Sequence, residues 1–233
     1  MIHAVVLPGL DGDASLRAEF AAALAPEFDV DVVSYPNDVV LDYEELTAFA
    51  LERMPHDRPF VLIGESFSGP IAINLAAMRP TGLLGLVLCA TFAKSPRPSL
   101  APFRSLAGAL PLRMLPMPLV MMVMMGHWST REWRCRLHTA LMALDHVVLY
   151  RRLVEAATID VTARIADIDC PVLYIQATRD RVVFPKSWIV IQKACRDTHC
   201  VKIEAPHMLL QARPLECAEA IKRELSTEVR RLG

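Results

Sequence analysis

The sequence predicts an α/β fold, in which a mostly parallel sheet of about six strands is covered by helices on both faces. Short apolar runs alternate with segments of helical periodicity along most of the 233 residues. Consecutive runs are too far apart for tight hairpins, which indicates parallel strands joined by crossovers. Hydrophobic residues make up 53% of the chain and charged residues 22%, so the chain can bury a large core and intrinsic disorder is excluded.

Six apolar runs are predicted to be strands, because each is short, rich in aliphatic residues and bounded by turn residues or helical segments. They cover residues 2–7, 28–34, 60–63, 83–90, 172–177 and 200–204. The first predicted strand begins at residue 2. Neither a charged segment nor a signal-like apolar core precedes it in this sequence. We therefore expect a cytoplasmic protein.

The segments between these strands have helical periodicity. The first helix places Leu16, Phe20 and Leu24 on one face. The second is expected to begin at Asp42, which together with Glu45 has the spacing of a capping box. Three later helices are predicted to end at residue 79, to cover residues 186–194 and to begin at residue 214.

Residues 91–168 interrupt the alternation and are predicted to form a mostly helical insertion between core segments 1–90 and 169–233. Prolines are frequent in the first third of the insertion, and helical patterns return over residues 133–144 and 146–157. We expect the insertion to lie over the C-terminal edge of the sheet.

Six of the eleven methionines lie between Met114 and Met125. The apolar stretch at 115–125 is too short to span a bilayer, which needs about 20 residues, so no integral membrane segment is predicted. A methionine-rich segment is typical of an adaptable apolar pocket, of ordinary core packing or of a docking surface. The sequence leaves these three interpretations open.

Charge and cysteine content exclude several classes of partner and cofactor. The formal net charge is −1 and no basic cluster exceeds short arginine pairs, so nucleic acid is excluded as a partner. The six cysteines form no C-x-x-C pair, and several fall inside predicted strands or helices, which is typical of buried thiols in a reducing compartment. Cys195, His199 and Cys200 lack a second pair of metal ligands, so we predict no metal site and no cofactor.

Residues 64–69, with the sequence GESFSG, join the third predicted strand to a helix. A strand, a sharp turn with a serine at its apex and a helix form a nucleophile elbow, in which Gly64 leaves room for the crowded backbone. Ser66 is thereby expected above the sheet, beside free N–H groups at the start of the helix. Ser68 stands where the motif usually has glycine, but a small side chain still fits. An ordinary turn between a strand and a helix is the alternative.

Asp180 and His207 follow the fifth and sixth predicted strands, and a Pro-Gly loop at residues 8–12 follows the first. In an open parallel sheet, ligands bind beyond the carboxyl ends of the strands, so these residues are expected to meet Ser66 at one edge. A serine nucleophile needs a base, and a histidine base needs a carboxylate that fixes its tautomer. Alternatively, Asp180 caps the following helix or pairs with a neighbouring arginine.

Because of these motifs, the chain resembles α/β-hydrolase-fold serine hydrolases over nearly its whole length. The resemblance implies that Ser66 is the nucleophile, His207 the general base and then acid, and Asp180 its orienting partner. It also implies that the backbone N–H groups of Leu10 and Phe67 form the oxyanion hole.

The chain departs from the family pattern in three places. Pro8 stands where a histidine is frequent, Ser68 replaces a glycine, and the usual antiparallel strands at the N-terminus are missing. The sheet should therefore begin with the strand that carries the oxyanion loop. A compact core with strand order 2-1-3-4-5-6 is expected.

In such hydrolases the insertion corresponds to the lid that shapes the substrate pocket. The oxyanion loop, the insertion and the histidine loop are expected to contribute substrate contacts. The expected contacts are Gly9, Asp11, Met121, Met125, Trp128 and Met208.

These expectations together describe a serine hydrolase that cleaves carboxylic esters, or thioesters, of small to medium apolar substrates through an acyl-enzyme on Ser66. The same triad would also serve a C–C hydrolase, a lyase or an acyltransferase, and a non-catalytic ligand-binding protein on the same fold is a further alternative. The expected partner is a small-molecule ester. The methionine-rich segment also permits a homodimer.

Overall fold

The computed structural model describes residues 1–96 and 115–232 of the chain. Its described part contains one six-stranded sheet with the order β2-β1-β3-β4-β5-β6, and all adjacent strands pair in parallel. The predicted fold class and strand order are confirmed. The strands are β1 (Ile2–Leu7), β2 (Phe28–Val32), β3 (Phe60–Glu65), β4 (Leu83–Cys89), β5 (Val172–Ala177) and β6 (Thr198–Ile203).

The two edge strands and the central strand β3 each differ by two residues from the predicted bounds at one end; β3 extends to Glu65 instead of residue 63. β2 ends at Val32, two residues before the predicted end, and β6 begins at Thr198, two residues before the predicted start. Both strands have several residues that are not buried, whereas every residue of β3 and β5 is buried. Because an edge strand accommodates polar residues, its apolar run does not mark its ends.

Nine helices lie in the described part of the chain. They are α1 (Ala18–Leu24), α2 (Tyr43–Leu51), α3 (Gly69–Ala77), α4 (Met117–Met124), α5 (Arg131–Ala143), α6 (His146–Thr158), α7 (Lys186–Ala194), α8 (Leu209–Ala212) and α9 (Pro214–Leu232). The capping box at the start of α2 is confirmed, because Asp42 accepts a hydrogen bond from the Glu45 N–H and Glu45 accepts one from the Asp42 N–H. The short helix α8 was not predicted.

Helices pack on both faces of the sheet and bury two separate apolar clusters. On one face α2, α3 and α7 contribute Leu46, Ile71 and Ile191. On the other face α1 and α9 contribute Phe20 and Ile221. The central strands β1, β3, β4 and β5 are therefore buried on both sides, which explains their mostly continuous hydrophobic runs.

The described part of the predicted insertion contains α4, α5 and α6, between β4 and β5. The helices predicted at 133–144 and 146–157 are confirmed with small shifts of their ends. Pro98, Pro102, Pro111 and Met114 lie outside the described residues. Among the helices that the structure describes, none is long and apolar enough to cross a membrane.

Candidate active site

The turn after β3 places Ser66 in a strained conformation at the start of α3. Its φ of 48° lies in the left-handed region, which costs a non-glycine residue of order 1–3 kcal/mol. Gly64 and Gly69 allow the turn to pack closely: a Cβ on Gly64 would lie 2.7 Å from the Ala72 Cβ, and one on Gly69 would lie 1.9 Å from the Thr91 Oγ1. This local geometry is that of the predicted nucleophile elbow.

The structure brings together the side chains of Ser66, His207 and Asp180, which come from three separate loops. The Ser66 Oγ lies 2.7 Å from the His207 Nε2, and the His207 Nδ1 lies 2.8 Å from the Asp180 Oδ2. The side chains of His207 and Asp180 are only 4% and 3% exposed. With Nδ1–H donating to the carboxylate, Nε2 is free to accept the proton of the serine hydroxyl.

Asp180 does not cap the following helix, which begins at Lys186 after Pro185 and has no side-chain cap, but it does bind the backbone of its own loop. Its Oδ1 accepts hydrogen bonds from the backbone N–H groups of Val182 and Val183, at 2.7 and 2.9 Å. The neighbouring arginines have other partners: Arg179 pairs with Glu204, and Arg181 donates to a carbonyl oxygen of α4. Two backbone donors therefore hold the carboxylate in place while its second oxygen faces the histidine.

The loop between β1 and α1 lies beside the elbow. The Gly12 N–H donates to the Gly9 carbonyl at 3.0 Å, which closes a tight turn around Leu10. Neither the Leu10 N–H nor the Phe67 N–H donates to an acceptor in the described ranges. The Leu10 carbonyl accepts from the Arg152 guanidinium of α6 at 2.9 Å.

Ser68 is small enough for its position, and its hydroxyl also makes two hydrogen bonds. Its side chain is fully buried, and its hydroxyl donates to the Pro8 carbonyl while accepting from the Tyr35 hydroxyl at 2.7 Å. A glycine at this position could make neither bond. The departure from the usual motif therefore joins the elbow to the loop after β1.

A buried cluster of charges lies next to Ser66. Arg17, only 2% exposed, binds both oxygens of Asp11 and also binds the Glu65 carboxylate at 2.6 Å. Burial alone would lower the pKa of Arg17, but the two carboxylates raise it above its usual value. Burial likewise opposes the charge on Asp11, and Arg17 nevertheless holds the pKa of that carboxyl below its usual value. The sequence pattern indicates neither the role of Arg17 nor the pairing of Glu65.

A cavity of about 270 Å³ adjoins Ser66 and His207. Of the predicted substrate contacts, Gly9, Asp11 and Met208 line this cavity. Most of its remaining wall is apolar and comes from all three helices of the insertion and from the loops around them. These apolar residues are Leu10, Phe67, Phe92, Pro96, Val120, Met124, Leu137, Leu141, Leu153, Ala156 and Val182.

Met121, Met125 and Trp128 do not line this cavity, which corrects three of the expected contacts. Met121 lies on α4 and Met125 directly follows the helix, one turn later, and both are buried in a cluster with Leu16 and Met208. The adjacent face of α4 presents Val120 and Met124 to the cavity instead. Trp128 contacts the His127 ring in a tilted arrangement and borders a different cavity.

Comparison with known proteins identifies a family. The family model described as serine aminopeptidase, S33, matches residues 31–209, which include Ser66, Asp180 and His207. No curated protein matches the sequence significantly.

Solved structures with the same fold cover almost the whole chain. A bromoperoxidase from Bacillus anthracis has a TM-score of 0.85 at 14% identity, over 97% of this chain and 92% of that one. A thermophilic esterase from Thermogutta terrifontis has a TM-score of 0.79 at 19% identity, over 98% and 90%. An enol-lactonase from Burkholderia xenovorans LB400 has a TM-score of 0.72 at 21% identity, over 99% and 92%. At these identities the similarity establishes the fold.

Proposed function

The chain belongs to the S33 serine aminopeptidase family of α/β hydrolases, and on that premise we propose that it is a serine hydrolase of carboxylic esters with small to medium apolar groups. The observation that carries the proposal is the chain of hydrogen bonds from Ser66 through His207 to Asp180. Two features support an ester substrate with an apolar portion: the mostly apolar cavity wall and the position of the serine at its edge.

In the proposed reaction, the Ser66 Oγ attacks the ester carbonyl while the His207 Nε2 takes its proton. Asp180 orients the imidazole and stabilises the imidazolium that forms. The protonated histidine then gives its proton to the departing alcohol, which leaves an acyl group on the serine. A water molecule activated by the same histidine releases the acid and restores the hydroxyl.

The negative charge that develops on the carbonyl oxygen needs donors that are fixed in advance. We assign this role to the backbone N–H groups of Leu10 and Phe67. Both lie next to the Ser66 cavity and neither has an acceptor among the described residues. Removing one donor of this kind typically lowers kcat by about 10²–10³-fold.

We also propose that α4, α5 and α6 act as the lid that shapes the substrate site. Each of these helices contributes to the cavity wall. Two hydrogen bonds to carbonyl groups of α4 fix it over the catalytic loops: the Met208 N–H donates to the Met124 carbonyl at 3.1 Å, and the Arg181 guanidinium donates to the Met122 carbonyl at 2.8 Å. Changes in α4 should therefore alter both substrate preference and rate.

A fluorophosphonate probe tests the proposal, because it reacts with an activated serine and not with an ordinary hydroxyl. We expect one adduct, located at Ser66 by peptide mass spectrometry, and no adduct in Ser66→Ala or in heat-unfolded protein. The labelled protein should lose hydrolysis of p-nitrophenyl esters of short and medium chain length. Folded wild-type protein that forms no adduct at Ser66 would refute the proposal.

The same assay separates the alternative reactions. Labelling at Ser66 without turnover of any ester in the panel would favour C–C hydrolysis, lyase chemistry or acyl transfer by the same residues. A matched panel of p-nitroanilides measures amide cleavage, and we expect its kcat/KM to be well below that of the esters.

A further inference from the structure

Within the described part of the chain, one side chain in the cavity wall carries polar atoms that have no hydrogen-bond partner. Gln211 lies on α8, four residues after His207, and borders the same cavity as Ser66. It is 4% exposed, and neither its Oε1 nor its Nε2 has a hydrogen-bond partner among the residues that the structure describes. A buried amide without partners is destabilising, so such a group in a native protein calls for an explanation.

The other polar side chains around the cavity are already engaged. Every guanidinium nitrogen of Arg17 has an acceptor on Asp11, Asp13 or Glu65. Ser66 and His207 are bonded to each other. Gln211 therefore differs from these groups, because in the described ranges neither its donor nor its acceptor has a hydrogen-bond partner.

We propose that Gln211 is a specificity residue that hydrogen-bonds a neutral polar group, a hydroxyl or an amide, on an otherwise apolar substrate. This inference rests on the proposed esterase function and names its substrate class more closely. A hydroxyl or an amide both donates and accepts, as the Gln211 amide does, so the two are complementary. An anionic group is disfavoured, because the nearby Asp11–Arg17–Glu65 cluster carries one net negative charge.

The test compares p-nitrophenyl hexanoate with two hydroxylated analogues, one with the hydroxyl near the carbonyl and one with it at the chain end. In the wild-type protein, kcat/KM for at least one analogue should exceed that for the plain ester by about tenfold, the factor that one net hydrogen bond supplies. Gln211→Met keeps the length of the side chain but removes both polar atoms. It should bring the ratio of the two kcat/KM values close to one.

Leu210→Met is the matched control. Leu210 is the preceding residue of α8, is fully buried and does not line the cavity. This variant perturbs the packing of α8 but should keep the wild-type ratio. Gln211→Glu is a second variant, which retains an acceptor and loses the donor; it should also lower the ratio. Equal ratios in wild type and Gln211→Met for both analogues would overturn the inference.

Fluorophosphonate labelling distinguishes this failure from failure of the proposed function. Labelling and turnover with unchanged ratios would refute the role of Gln211 alone. If Ser66 is labelled but no ester is turned over, protection from labelling is measured with an alkanediol and with the alkanol of equal length. Stronger protection by the diol, lost in Gln211→Met, supports the inference; equal protection overturns it. Absence of labelling overturns it together with the proposed function.

Discussion

Arg17→Met should destabilise the protein strongly and in a pH-dependent way. The wild-type guanidinium lies between the carboxylates of Asp11 and Glu65, and all three groups are nearly inaccessible to water. Methionine fills much of the same volume but leaves two buried carboxylates without a counter-charge. Breaking a buried ion pair by removing one partner costs about 3–5 kcal/mol, so we expect a loss of this size in the free energy of unfolding near pH 7.5.

The sign of the pH dependence follows from the pKa of Asp11. In the wild type, Arg17 holds this pKa below its usual value, so the stabilisation is present above the usual pKa of an aspartate and is lost only as the pH falls through the folded value. It is therefore constant between pH 5 and 8. Without Arg17, burial, which is the largest influence and raises the pKa of Asp11, is opposed only by backbone hydrogen bonds such as that from the Asp13 N–H. We therefore expect this pKa to rise, so that the folded variant binds more protons than its unfolded state at low pH.

Each extra proton bound by the folded state changes the free energy of unfolding by about 1.4 kcal/mol per pH unit. The destabilisation of Arg17→Met relative to wild type should therefore shrink, by at least about 1 kcal/mol, as the pH falls from 8 to 5. Urea unfolding followed by tryptophan fluorescence at several pH values measures this difference.

Two control variants separate charge from shape. Arg17→Lys keeps the positive charge but not the planar fork, so its loss should be smaller and independent of pH over this range. The triple variant Asp11→Asn, Arg17→Met, Glu65→Gln removes all three charges and should recover much of the lost stability. A deficit in Arg17→Met that stays constant from pH 5 to 8 would refute the reasoning.

Three further predictions concern the elbow, the oxyanion loop and the triad. Gly69→Ala should cost about 1–3 kcal/mol in urea unfolding, because the new methyl group would overlap Thr91, and an unchanged midpoint would contradict this. Arg152→Met should lower kcat for p-nitrophenyl esters about tenfold with little change in KM, because it frees the Leu10 carbonyl; unchanged kcat would contradict this. Asp180→Asn should lower kcat by about 10⁴-fold in the same assay without unfolding the protein, because the histidine loses its orienting carboxylate.

The fold was predictable from the sequence because each element carries its own local signal. Buried parallel strands have continuous apolar runs, and the helices between them have helical periodicity and recognisable caps, such as Asp42. The strand ends were less predictable, since the edge strands β2 and β6 contain polar residues that the apolar pattern does not include. The residues of the proposed triad were also predictable, because each directly follows a strand and the topology brings strand ends together.

The contacts that support the site could not be predicted in this way. Arg17, Tyr35 and Arg152 lie in segments whose local pattern gives no sign of a catalytic environment. Each has at least one partner far away in the sequence, namely Glu65, Ser68 and Leu10 respectively. Glu65 illustrates the same limit, because nothing in its position beside Ser66 indicates a partner, and the structure pairs it with Arg17. Whether Met121 or Met124 faces the cavity depends on how α4 is rotated about its own axis. The composition of this methionine-rich helix does not determine that rotation.

The loop after β1 is held from three sides, and this arrangement gives these unpredicted residues a common role. Ser68 of the elbow donates to the carbonyl of residue 8, Arg152 of α6 donates to that of Leu10, and Arg17 donates to that of Asp13. Each bond occupies a carbonyl oxygen and none uses the Leu10 N–H. A donor that stabilises a developing oxyanion is effective when its position is fixed before the reaction, because no reorganisation is then needed. The elbow, the segment before α1 and the insertion therefore all contribute to fixing one proposed N–H donor, and a change in any of the three should affect kcat more than KM.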